Sequence, residues 1–186
     1  TPGMKEEFEG RNPNITQIPN GYDEADFESV KPVLTSKKFR LSYTGNFKSN
    51  QHCDALWSSL SKLRKENPRM PEVEICLTGN VHPTILDSIA THGLDDILIH
   101  EPFVTHAEAI DRMHASHLLL LPIPRTKDNK LILTGKIFEY LATKRPIIAL
   151  GPTEGNAAAI LEDCGKDAMI DYNDKEGLTR QLNAYF

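Results

Sequence analysis

The run His117-Leu118-Leu119-Leu120-Leu121-Pro122-Ile123 decides the fold. Four consecutive leucines leave no polar face, so a strand built from them is covered on both sides. That is the signature of a central strand in a parallel sheet. After a loop from Pro124 to Leu133 comes Gly135 to Thr143, which has helical spacing. Then Pro146-Ile147-Ile148-Ala149-Leu150 reads as a second buried strand. Strand, helix and strand in this order make a right-handed crossover unit.

The same alternation extends in both directions from this unit. Upstream, Arg40 to Thr44 is a strand stopped by Gly45, and Asn50 to Glu66 is a helix with Leu56, Leu60 and Leu63 on one face. Val73 to Thr78 is a strand stopped by Gly79. His82 to His92 is a helix with Gly93 as its stop signal. Asp96 to His100 is a short strand. Thr105 to Ser116 is a helix opened by a capping box of Thr105 and Glu108. Downstream, Asn156 to Asp163 is a helix, Ala168 to Asp171 a short strand, and Asp174 caps a last helix carrying Leu178 and Leu182. The expectation is an α/β domain: a doubly wound, parallel, six-stranded, Rossmann-like sheet with helices on both faces. In such sheets a ligand lies at the carboxyl ends of the strands. The segments to examine are 45–48, 79–80, 101–106, 122–134 and 151–155.

Composition agrees with a soluble globular domain, with 39% hydrophobic and 25% charged residues among 186. The formal net charge is −5 and the basic residues are scattered, which argues against nucleic acid as a partner. No apolar run approaches the roughly 20 residues of a membrane span, and residues 1–10 lack the apolar core of a secretory leader. Three cysteines, Cys53, Cys76 and Cys164, form no disulfide pattern, so a cytoplasmic setting is expected. His114 and His117 are three apart, but no further ligand completes a set and no metal is expected. Residues 1–35 are polar and aperiodic. Within them Ile18 marks a short strand end, Asn20-Gly21 a turn, and 24–38 a connecting loop.

Chemistry concentrates in Thr134-Gly135-Lys136-Ile137-Phe138-Glu139-Tyr140-Leu141-Ala142. Thr134 suits an N-cap, and Gly135 bares the amides of the first turn, an anion-attracting arrangement. Lys136 sits in that first turn, where the helix dipole disfavours a cation unless an anion is bound. Lys136, Glu139, Tyr140 and Thr143 share one face, while Ile137, Phe138, Leu141 and Ala142 form the face expected to pack on the sheet. Two readings of the Lys136–Glu139 pair are open. One is a surface i,i+3 pair, worth roughly a few tenths of a kcal/mol. The other is a nucleotide site, with Lys136 on the diphosphate and Glu139 on the ribose hydroxyls. A P-loop is excluded because Lys130 and Ile137 stand where glycine and Ser/Thr are required. A dinucleotide fingerprint is excluded because Gly45-Asn46-Phe47-Lys48 lacks its second and third glycines. Arg125 and Lys127, in the loop after the leucine strand, are expected to be exposed.

The order of these elements resembles the C-terminal domain of GT-B-fold glycosyltransferases, in particular the group-one retaining family that uses nucleotide-diphosphate sugars. Four features carry the resemblance: Ile18-Pro19-Asn20-Gly21-Tyr22-Asp23 with Phe27, Leu41-Ser42-Tyr43-Thr44-Gly45, the strand 117–122, and Lys136 to Ala142 followed by Lys144-Arg145-Pro146-Ile147-Ile148. It covers residues 15–186. It implies that 1–37 hold a remnant of a preceding domain, a hinge and a linker, and that 38–186 form the nucleotide-sugar-binding domain. It further implies that the ligand is a nucleotide-diphosphate sugar, that neither metal nor cofactor is required, and that an N-terminal acceptor-binding domain is the partner. Full-length relatives imply peripheral work at the inner face of a membrane, in glycan synthesis.

Carried over residue by residue, Glu139 matches the second glutamate of the family's Glu-x7-Glu motif, and Leu131 stands where the first belongs. Thr134 and Gly135 match the diphosphate-binding amides, and Gly45 the glycine turn beside the donor. Lys48 and Lys136 are the cations available for catalysis, and Phe103, Val104 and His106 fall where the base is contacted. Lys48 reads equally as a solvated surface lysine, and Phe103, Val104 and His106 also read as ordinary loop packing and capping, the reading favoured for His106. Alternative readings are a sugar-nucleotide epimerase domain of the same fold and a non-catalytic α/β nucleotide-binding module.

Overall fold

The structure is a computed structural model that describes residues 5, 8–12, 14–18, 20–28 and 36–186. The hinge residue Pro19 and the linker residues 29–35 lie outside the described residues. After a short helix α1 (Ala25–Glu28), strands β1 (Phe39–Thr44), β2 (Val73–Thr78), β3 (Leu98–Glu101), β4 (Leu118–Pro122) and β5 (Ile147–Leu150) build one sheet. They alternate with helices α2 (Asp54–Glu66), α3 (Pro83–Thr91), α4 (His106–His114), α5 (Gly135–Ala142), α6 (Asn156–Asp163) and α7 (Lys175–Tyr185). The sheet order is β3-β2-β1-β4-β5 and every pairing is parallel.

The leucine run behaves as its lack of a polar face requires. Leu118 and Leu120 enter one core with Leu56, Leu60 and Ile85, while Leu119 and Leu121 enter the other with Ile110, Ile137 and Leu161. β5 divides the same way: Ile148 and Leu150 face the first core, Ile147 and Ala149 the second. All four leucines are at most 1% exposed, each contributing about 1.5–3 kcal/mol of transfer free energy. Thus α2, α3 and α7 cover one face, and α4, α5 and α6 the other.

The sheet has five strands, not six. The segment expected as a sixth, 168–171, makes one bridge, Leu150 to Ile170. The Ile170 N–H donates to Ala149 O at 2.9 Å and its carbonyl accepts from Gly151 N at 3.0 Å. Only Met169 of this segment is buried, so one residue face is too little to extend a ladder. Two further differences concern boundaries. β3 is Leu98–Glu101, entered by a 3-10 turn at Asp95–Ile97, and α2 begins at Asp54 after a 3-10 turn at Ser49–Gln51.

The expected strand end at Ile18 is irregular backbone with an exposed side chain, and α1 interrupts the expected 24–38 loop. Residues 20–28 nonetheless dock on the domain. Tyr22 and Phe27 meet edge to face at 5.4 Å, Phe27 packs 5.9 Å from His114, and His106 Nε2 lies 3.0 Å from Asp26 Oδ2.

Candidate functional site

The strand order places a switch point between β1 and β4, because β2 follows β1 on one side and β5 follows β4 on the other. A crevice at the carboxyl edge is expected there. β1 is followed by Gly45 and β2 by Gly79, with φ of +108° and +115°. The two turns touch backbone to backbone: a Cβ on Gly79 would sit 2.5 Å from Gly45 O. Glycine is therefore required at 79 by both the left-handed backbone and the close approach.

Beside these turns lies a cavity of about 320 Å³. Gly45, Phe103, Val104, His106, Lys136 and Glu139 all line it, together with Thr44, Thr78, Gly79, Ala109 and Met113. Six positions singled out in the sequence, spread over 95 residues, converge on one concavity. α4 brings His106 because Thr105 caps it: Thr105 Oγ1 accepts from Glu108 N at 3.3 Å while Glu108 Oε2 accepts from Thr105 N at 2.8 Å. Phe103 is 63% exposed at the rim.

Lys136 reaches across from α5 to β1. Its ammonium donates to the Thr44 carbonyl and lies 5.0 Å from the Tyr43 ring centroid and 5.8 Å from that of Tyr140. A Cβ on Gly45 would come within 2.9 Å of Nζ, so the glycine makes room for the ammonium. Burial pulls the pKa of Lys136 down, and Glu139, one turn on, pulls it partly back. Among the described residues this partly desolvated ammonium, in the first turn of a helix, has no carboxylate in hydrogen-bond contact, an arrangement that a nearby anion would stabilise.

The other expected residues stand differently. Thr134 occupies the N-cap position with extended backbone, but it makes no capping bond and its Oγ1 is buried without a partner among the described residues. Gly135 is exposed at the helix start, with the Asn20 side-chain amide nearby. Lys48 is exposed and lines a neighbouring cavity of about 670 Å³ with Asn46, Ser49, Asn80 and His82, not the one that holds Lys136. The buried face of α5 is also corrected. Ile137, Tyr140 and Thr143 are buried, whereas Phe138, Leu141 and Ala142 are half-buried. The Tyr140 ring and the Lys136 stem pack toward the end of β1, which turns the helix from its expected setting.

Arg125 is not free in solvent. Its N–H donates to Asn50 O at 2.7 Å and its guanidinium lies 4.1 Å over the Tyr172 ring. Lys127 is exposed as expected. Leu131 closes a 3-10 turn, and its carbonyl accepts from Asn156 Nδ2 at 3.0 Å. The pair His114 and His117 serves packing: His117 Nδ1 accepts from Arg40 N at 3.1 Å, and His114 is buried. Tyr43 is missed as a site residue: it reads as an ordinary strand residue, and only the fold brings it to Lys136, whereas Tyr140 shares the Lys136 face by its spacing. Among the described residues, no three His, Cys, Asp or Glu side chains cluster, and no helix is long and apolar enough to cross a membrane.

The sheet order and the cavity at its switch point define a Rossmann-like domain of the kind from which GT-B glycosyltransferases are assembled. A profile described as glycosyl transferases group 1 matches residues 38–186, and the chain belongs to that family. No curated protein matches the chain. Solved structures share the fold at low identity. The C-terminal domain of the group 1 glycosyl transferase LpcC from Francisella tularensis is 13% identical with a TM-score of 0.64, over 88% of this chain and 87% of that one. Sucrose-phosphate synthase from Thermosynechococcus elongatus is 15% identical with a TM-score of 0.66, over 98% of this chain and 47% of that one. S. aureus TarM, as a mutant in complex with Fondaparinux, alpha-GlcNAc-glycerol and UDP, is 15% identical with a TM-score of 0.56 over 84% of this chain. The chain spans only 31% of that TarM chain.

Proposed function

We propose that the chain is the nucleotide-diphosphate-sugar-binding, C-terminal domain of a glycosyltransferase that passes a sugar, with retention, to a glycan or lipid-linked acceptor. The observation that supports this most is the convergence of Gly45, Phe103, Val104, His106, Lys136 and Glu139 on one switch-point cavity. In this reading Lys136 neutralises the diphosphate, and the amides from Gly135 onward add donors to it. Such preorganised charge stabilises a leaving diphosphate without metal chemistry. Glu139 accepts from the ribose hydroxyls, and Phe103, Val104 and His106 flank the base. Gly45 lets the donor approach the end of β1. Lys48, on the neighbouring cavity, is the second cation at the carboxyl edge. The likeness to TarM, whose complex includes UDP, adds support at the level of fold.

The donor is substrate, and no cofactor is proposed. The acceptor belongs to an N-terminal domain, for which residues 1–37 supply the hinge and linker, and the assembled enzyme works in the cytoplasm at the inner face of a membrane. The chain alone then binds donor without transferring sugar. A thermal-shift panel of UDP, GDP, ADP, CMP and their sugars tests this. One diphosphate series should raise Tm in proportion to RT ln(1 + [L]/Kd), about 2.7 kcal/mol at a hundredfold excess over Kd. Glu139→Ala should weaken that series most. Equal response to every nucleotide, or none to any, overturns the reading.

A further inference from the structure

A cation held at a helix start normally has a carboxylate or solvent as its partner. The Lys136 ammonium has no carboxylate in hydrogen-bond contact among the described residues, and its side chain is half-buried. It rests on a backbone carbonyl, with the faces of Tyr43 and Tyr140 at 5.0 and 5.8 Å. Both rings are at most 1% exposed, so these faces are dry. A ring quadrupole attracts a cation more strongly when water is excluded. Tyr43 is tied down twice over. Its hydroxyl donates to Asn46 O at 2.7 Å, which shapes the turn after Gly45, and its ring stacks on Phe47 at 4.2 Å. One residue therefore fixes both the ammonium and the glycine turn that a donor would approach. The other ionisable groups here are Glu139 and Tyr140 on α5, and His106 on α4 with its partner Asp26 from α1.

We propose that Tyr43 is a positioning residue: its ring face holds the Lys136 side chain as a charged ammonium at the carboxyl edge of β1, and its hydroxyl sets the turn against it. For the reaction, this rests on the reading of Lys136 as the diphosphate contact. The placement of the ammonium itself does not.

Within the test series the hydroxyl is absent throughout, and fluorination varies the ring quadrupole with little change of shape. Tyr43→Phe is prepared with ordinary phenylalanine and with mono-, di- and trifluorinated phenylalanine, in the full chain. The titration of Lys136 is followed by NMR of its ε-carbon, assigned through Lys136→Met. The midpoint should fall stepwise with fluorination, by about half a pH unit or more across the series. A ring that is only core filler leaves the midpoint constant, and that result overturns the proposal.

Inorganic pyrophosphate then serves as the second probe. Its affinity at the parent's measured Lys136 midpoint should fall in the same order as the midpoints, and a flat affinity across a falling midpoint would confine Tyr43 to the free domain and overturn its role toward the ligand. Pyrophosphate binding that is unchanged in Lys136→Met strikes instead at the functional reading, whatever the fluorine series shows.

Discussion

Two glycines separated by 34 positions make the same backbone shape and meet different neighbours. At Gly79 an added methyl collides with the Gly45 backbone, which has no room to yield; at Gly45 it collides with the mobile end of Lys136. Both substitutions also force a left-handed backbone on alanine, at about 1–3 kcal/mol each. Gly79→Ala is therefore expected to lose stability in urea unfolding beyond that strain. Gly45→Ala is expected to keep to it while losing nucleotide affinity, because the ammonium is displaced. Equal stability losses with equal affinities would contradict the assignment. At this scale the sequence is legible where a local pattern sets a residue's place at the cavity: Lys136 and Glu139 on one helix, and Gly45 after a strand end. Tyr43 is not, because its relation to Lys136 exists only across 93 positions and through the pairing of β1 with β4. The role of Arg125 was hidden for the same reason, since its partners Asn50 and Tyr172 come from two other loops.

Elements were read best where both the period and the end signals were strong. α4 begins at the residue after the N-cap Thr105 of its capping box, and β4 is buried on both faces as its four leucines demand. The box is also testable. Thr105→Ala removes a cap that fixes the start of α4, at about 1 kcal/mol in urea unfolding. It should loosen His106 beside the cavity as well, so nucleotide affinity should fall with stability; an unchanged stability would mean the cap is redundant with tertiary packing. The segment 168–171 misled because β-type composition over four residues does not say whether a neighbour lies alongside for more than one of them. The buried face of α5 misled for a related reason. By its spacing Tyr140 falls on the face opposite the one expected to pack on the sheet, yet its ring is fully buried and its hydroxyl lacks a partner among the described residues.

Across the whole molecule the sheet order creates the site, and the site leaves a mark on stability. Below its folded-state pKa, Lys136 is charged in both the folded and the unfolded chain, and the cost of burying that charge is fully present. As pH rises from there toward the ordinary lysine value of 10.5, the folded chain gives up the proton first. The unfolded chain then binds more protons, so this contribution to stability rises with pH. Nucleotide affinity should move the opposite way over the same interval, because an anion needs the ammonium. Lys136→Met should be at least as stable as the parent at neutral pH, with the difference shrinking toward pH 10.5 in urea unfolding. A difference independent of pH would show that the ammonium is fully hydrated after all.

The central claim is that the cavity between β1 and α5 takes a nucleoside diphosphate through the Lys136 ammonium. Calorimetric titration of the best nucleotide from the panel into the chain and into Lys136→Met, at neutral pH, tests it most directly. The account predicts saturable one-site binding to the parent chain and at least a tenfold weaker Kd for the variant, about 1.4 kcal/mol, with its melting temperature undiminished. Equal binding by both proteins would contradict it.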